Sequence, residues 1–197
     1  MAPRAAELPA TRQEMARIRD AYGDRATVLM GTEASEEALA STAGTYDVIH
    51  LATYGVLNRT NPLFSYVELG AGLGDDGRLE AHELFGMQLD ADLVVLSACE
   101  TGLASGSRAD VPPGDDWVGL VRSFLSAGAS EVVATLWRVE DRATADLMGS
   151  FYQALASGEP ARSALATAQR EMLDDPATES PFYWAGFVLV GESGGSP

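Results

Sequence analysis

The strongest hydrophobic pattern in the chain is the run "ADLVVLSAC" at residues 91 to 99, which has strand length and no polar alternation. It predicts a central strand covered on both faces. "ATVLM" at 26 to 30, "YDVIHLAT" at 46 to 53, "SEVVATLW" at 130 to 137 and the aromatic-rich "FYWAGFVLVG" at 182 to 191 read as further strands. Between them the apolar period changes from two to that of a helix. Trp117, Leu120, Val121, Phe124 and Leu125 stripe one helix that stops at Gly128. Thr144, Leu147, Met148, Phe151, Tyr152 and Leu155 stripe a second that ends before Gly158. Pro160 opens a third with the face Ala161, Ala164, Leu165, Ala168 and Met172. Nearer the start, Thr11 and Glu14 stand at capping-box spacing for a helix over 11–22, and "EASEEALAS" predicts a short helix between two strands.

The middle of the chain is less regular. "FSYVEL" predicts a strand, "GAGLGDDG" a turn or hairpin, and "RLEAHELF" a short helix ending at Gly86. The stretch "ETGLASGSRADVPPGDD" after residue 99 is a long polar loop rich in glycine, with two adjacent prolines; loops of that length are commonly functional or disordered. Strands alternating with helices predict an α/β fold with a mostly parallel central sheet and helices on both faces. Ligands of such sheets bind beyond the carboxyl ends of the strands.

Composition narrows the function classes. The formal charge of −16 repels phosphate backbones and anionic lipid heads, so neither nucleic acid nor a membrane is an expected partner. A basic peptide or protein fits that charge, as does simple solubility. One cysteine, Cys99, rules out an internal disulfide and a cysteine-rich zinc site; with only His50 and His82 for imidazole, no metal or other cofactor is expected. The start has no apolar leader and no window reaches membrane-span length, which points to a soluble, cytoplasmic protein. "GLASGSR" lacks the spacing of a phosphate-binding loop.

The candidate chemistry lies at two strand ends. Cys99 closes its strand just before a glycine-bearing loop, where a nucleophile would be held out at the sheet edge; an isolated cysteine is also a common small core residue. A thiol needs a base within hydrogen-bond reach. His50 shares strand parity with Tyr54 but lies four residues earlier, about 13 Å deeper at the usual rise of a strand. If Tyr54 stands level with Cys99, His50 is a core or supporting residue. Tyr54 then has the right height and the wrong chemistry, because a phenol with a reference pKa near 10 is a poor proton acceptor at neutral pH. His82 is expected on a surface helix.

Taken together, "VIHLATYG", "ADLVVLSACETG", "SEVVATLWRVEDRAT", "FYQAL", "ALATAQREML" and "PFYWAGFVLVG" resemble the CHAT domain, a caspase-like and separase-like family of peptidase clan CD often attached to tetratricopeptide repeats. The resemblance covers residues 8–191 and implies a single domain with a caspase-like three-layer sandwich, followed by a flexible tail at 192–197. It also implies that the usual amino-terminal segment is missing, as in a compact member, a fragment or one piece of a split protein. In the family a histidine directly before the glycine of the first block serves as base for the cysteine of "SACETG". Here the cysteine is Cys99, the glycine is Gly55 and the base position is Tyr54, while His50 matches the first histidine of the block, a supporting residue or alternative base. The amides at Gly55 and Cys99 would bind an oxyanion. "GDDW" at 114 to 117 departs from the family's usual "GEG"-like stretch. Residues beyond Trp137 would shape specificity, making Glu140 and Asp141, with Glu100, candidate receptors for a basic P1 side chain; Arg138 would instead pair with them or favour an acidic one.

Three functions follow: a degenerate protease kept for protein binding or signalling, an active cysteine endopeptidase with a base from His50, His82 or a partner chain, and a structural adaptor. A protein or peptide, including a tetratricopeptide-repeat or other signalling protein, is the expected partner.

Overall fold

The computed structural model describes residues 1–4, 6, 9–42, 44–58, 60–72, 74–100, 115–137 and 139–192; the side chains of Pro9, residues 98–100 and residues 115–117 lie outside that description. Most of the tail, residues 193–197, and most of the long loop read from the sequence therefore lie outside the described residues.

Six strands form one sheet: β1 (Val48–Val56), β2 (Tyr66–Glu68), β3 (Arg78–Glu80), β4 (Leu93–Glu100), β5 (Glu131–Thr135) and β6 (Phe187–Gly191), in the order β3-β2-β1-β4-β5-β6. Alternate residues of the central strands feed two cores. Val94 and Leu96 of β4 join Ile49 and Leu51 of β1 in a core closed by α2 (Glu36–Ser41), α3 (Ala81–Leu84) and α4 (Asp115–Ser126). Leu93 and Val95 face the opposite core, filled by Leu147, Phe151 and Tyr152 of α5 (Asp141–Ala156) and Leu165 and Met172 of α6 (Ala161–Asp174). Helix α1 (Pro9–Tyr22) packs on α5 on that same side. An unbroken apolar run is thus required in β4, because neither of its faces meets water.

The fold is α/β with helices on both faces of the sheet, but the expectation of a mostly parallel sheet is corrected. Only β1–β4 and β4–β5 are parallel, whereas β1–β2, β2–β3 and β5–β6 are antiparallel. Connection parity explains the difference. One helix, α4, returns the chain from β4 so that β5 repeats its direction; two helices, α5 and α6, follow β5, so the chain re-enters as β6 from the carboxyl end and runs the other way. Strands β2 and β3 are joined by a connection too short for a crossover and form a hairpin.

Two local expectations also change. Residues 26–29 form no strand, and Met30 makes only an isolated bridge to Ala2, so no βαβ unit precedes β1. Thr11 and Glu14 are buried within α1 and do not cap it. Ser35 does cap α2, its hydroxyl accepting from the Ala38 amide at 3.1 Å.

Glu14 is instead one member of a buried polar chain. His50 Nδ1 and the Tyr152 hydroxyl are 2.9 Å apart, and His50 Nε2 stands 3.1 Å from Glu14 Oε1, close but not aligned as a hydrogen bond. All three residues are buried. Burial lowers the His50 pKa below its ordinary 6.5, and the neighbouring Glu14 carboxylate opposes that shift without cancelling it. Burial also holds the Tyr152 phenol well above its ordinary value, so it stays protonated and donates to Nδ1 of a neutral imidazole. The chain ties α1 and α5 to β1 at a single strand position.

Loss of the Tyr152 hydroxyl would strand a buried ring nitrogen. Tyr152→Phe should therefore cost about 1–3 kcal/mol in urea unfolding. Because the folded state holds His50 neutral, the unfolded state binds the extra proton. Its contribution is present above pH 6.5 and is lost as pH falls toward the depressed folded value, so the acid-side slope of stability against pH should be shallower in His50→Gln. A carboxylate on the other face has the opposite sign: burial, then Glu83, Asp75 and Asp76, push the Glu36 pKa up to about 7. Its charge opposes folding once pH exceeds its unfolded value, so Glu36→Gln should raise the melting temperature at pH 8 and leave it little changed at pH 4.

Candidate functional site

The carboxyl ends of β1, β4 and β5 make one rim of the sheet. Its geometry is set by the parallel register of β1 on β4, which pairs Val48 with Leu93 and continues to Tyr54 with Cys99 and Gly55 with Glu100. Position 54 is therefore level with position 99, and strand parity puts Tyr54 on the face that carries α1 and α5. Tyr54 is half-buried. The side chains of Cys99 and Glu100 lie outside the described residues, so the register is a statement about their backbone alone. Gly55 is buried in the sheet between Val67 of β2 and Glu100 of β4. Next to it, the Thr53 hydroxyl donates to the Glu68 carbonyl at 2.5 Å and ties the end of β1 to the hairpin.

His50 pairs with Val95, not with Cys99. It sits four residues below the rim, about 13 Å along the strand. Both of its ring nitrogens face partners from the helices, as described above. His82 is on α3 with its ring half-exposed; its Nδ1 is 3.1 Å from Glu80 Oε2 and its ring centre 5.4 Å from that of Phe64. The structure therefore brings Tyr54 and Gly55 to the level of Cys99 and leaves His50 in the core. Of the two polar partners of His50, Glu14 was legible only as a helix-capping residue and Tyr152 only as part of an apolar stripe. The available signal was chemical: a histidine inside a buried strand and a tyrosine inside a buried helix stripe each require a polar partner.

The segment after β5 forms the other side of the rim. Val139 is buried against the α5–α6 core and pins the connection. Glu140 is exposed and caps α5, its carboxylate accepting from the Ala143 amide at 3.2 Å. Asp141 is half-buried in the first turn of that helix. Two of the three candidate carboxylates are thus neighbours at one helix start, with Glu140 already engaged by a backbone donor. Arg138 lies outside the described residues. Trp137, just past β5, donates from its indole nitrogen to the Phe182 carbonyl at 3.0 Å. A side chain at Gly186 would meet the Trp137 ring, a built Cβ lying 2.8 Å from Cε2, so glycine there lets the indole lie against the backbone entering β6.

The buried Ser97 hydroxyl, two residues before Cys99 on β4, has no hydrogen-bond partner among the described residues. Among the described residues no group of three or more His, Cys, Asp or Glu side chains is placed to hold a metal, and no helix is long and apolar enough to cross a membrane.

The CHAT domain model matches residues 2–192. Tetratricopeptide repeat protein 28 of Homo sapiens is 34% identical over 113 residues, and its Mus musculus counterpart 35% identical over 113 residues; each match covers 57% of this chain. The matched region is 4% of either relative's length. With nearly the whole chain matched and a sheet whose first two parallel strands carry "VIHLATYG" and "LVVLSACE", this chain belongs to the CHAT domain family.

Proposed function

We propose that this chain is a protease-derived recognition domain, degenerate at its base position, that binds a protein or peptide segment at the rim of β1, β4 and β5 and acts in cytoplasmic signalling. The observation that carries the reading is the level pairing of Tyr54 with Cys99, with His50 four residues deeper and held between Glu14 and Tyr152. Peptide-bond hydrolysis by a thiol needs a group that takes the proton from sulfur and returns it to the leaving amine. A phenol, with a reference pKa near 10, is a poor proton acceptor at neutral pH, so the residue at position 54 is ill suited to take the thiol proton. Moving His50 to the rim would break a buried polar chain, at a cost expected for orphaned buried polar groups. The retained "SACE" strand end and the acidic pair Glu140 and Asp141 then serve recognition, with a basic side chain as the matching feature of the bound segment. The names of the relatives suggest a tetratricopeptide-repeat protein as the partner class.

The test is a peptide and protein library incubated with the wild type and with Cys99→Ala, each with and without tetratricopeptide-repeat proteins. No cleavage that depends on Cys99 is expected, and binding should survive the substitution. Cys99-dependent turnover would overturn the reading in favour of an active cysteine endopeptidase. Neither binding nor turnover would leave an adaptor role in which the rim is idle. Tyr54→His restores an imidazole beside position 99. It should raise Cys99-dependent hydrolysis by about 10²–10⁴-fold if the base is the one missing element; an unchanged rate would place further loss elsewhere in the rim.

A further inference from the structure

The end of the sheet opposite the rim carries a cavity of about 330 Å³, between α1, the segment 26–29 and the start of β1. Its size is at the lower end of small-molecule sites, which are mostly apolar with a few placed polar groups. The walls match that description. Met15, Ile18, Val28, Leu39 and Ile49 supply an apolar lining. His50 and Tyr152 form part of the inner wall, and their mutual hydrogen bond holds both side chains in place.

The mouth has a different chemistry. Met1 also lines the cavity, but its amino group donates to the His50 carbonyl and burial lowers its pKa to about 5; the charged side chains that line the cavity, among the described residues, are Arg25 and Asp47, both exposed. The Arg25 guanidinium lies 5.2 Å from the centre of the Tyr22 ring. Tyr22, Arg25 and Asp47 all line the cavity, so a cation and an anion share its exposed edge. They do not pair with each other or with another ionised side chain among the described residues. An apolar cavity with one unpaired charge of each sign at its mouth is complementary to a small molecule that has an apolar body and adjacent charges of both signs.

We propose that this cavity is a binding site for a small zwitterion with an apolar tail, of the class of free α-amino acids with large apolar side chains. The tail enters between Ile18, Val28 and Leu39, the carboxylate meets Arg25, and the ammonium meets Asp47. A simple anion would meet the Asp47 carboxylate unfavourably, and a simple cation the Arg25 guanidinium. The site is independent of any chemistry at Cys99, which lies at the other end of the sheet.

Calorimetric titration of the full chain with phenylalanine and methionine, alongside their N-acetyl and amide derivatives and 1-hexanol, tests the assignment. Saturable binding of the free amino acids is expected, with about tenfold weaker binding for each derivative that lacks one charge and for Arg25→Ala and Asp47→Asn. Val28→Trp, which fills the cavity, should abolish binding while urea unfolding remains cooperative; if that variant does not fold, Arg25→Ala and Asp47→Asn at the exposed mouth carry the test. Equal binding of hexanol or of the N-acetyl derivatives would overturn the zwitterion assignment. Absence of saturable binding by every probe, or binding unchanged in both charge variants, would overturn the site.

Discussion

The parallel pairing of β1 with β4 is the constraint on which the rest of this structure depends. It runs in unbroken register from Val48 and Leu93 to Gly55 and Glu100. A slip of one residue would turn every side chain of β1 to the other face of the sheet. His50 would then lie in the apolar core closed by α4, away from Glu14 and Tyr152. The buried polar chain therefore reinforces the register, because only one alignment both buries Ile49 and Leu51 and satisfies the imidazole.

That same register separates the two groups that a cysteine hydrolase must bring together. The imidazole of β1 is at the level of Val95, and the residue at the level of Cys99 is a phenol. The imidazole of β1 thus lies below the rim, in the wall of the cavity at the other end of the sheet. The two ends of the sheet differ accordingly. At the carboxyl end, loop positions and helix starts gather around positions 54 and 99. The amino end is closed by α1 and carries an apolar cavity with one charge of each sign at its mouth.

Much of this was legible in the chain. Among the described side chains, the stripes of α4, α5 and α6 have the expected faces, and α4 and α5 stop just before Gly128 and Gly158 take positive φ, a backbone state that costs glycine little. The runs at β1, β4 and β5 became the parallel centre of the sheet, and the glycine-rich turn between "FSYVEL" and "RLEAHELF" became a hairpin. The misread elements have physical causes. "ATVLM" has strand composition, but Met1 and Ala2 hydrogen-bond between it and β1, and its backbone makes one bridge instead of a ladder. The direction of β6 was hidden because an apolar run looks alike in either sense; it follows from the number of helices that precede it.

Strand parity and rise, which need only residue numbers, were sufficient to set His50 four residues below Tyr54; that position 54 is where the base stands is what the resemblance to the CHAT family implies. The cysteine, the glycine and the acidic segment after Trp137 were likewise visible in the sequence itself. What only the tertiary structure decided is which groups answer each other across the chain. Tyr152, 102 residues beyond His50, and Glu14, within a different helix, meet the imidazole because both helices pack on one face of the sheet. Local sequence carries periodicity and propensity, whereas partners of a buried polar atom are chosen by packing between distant elements, which no local pattern encodes.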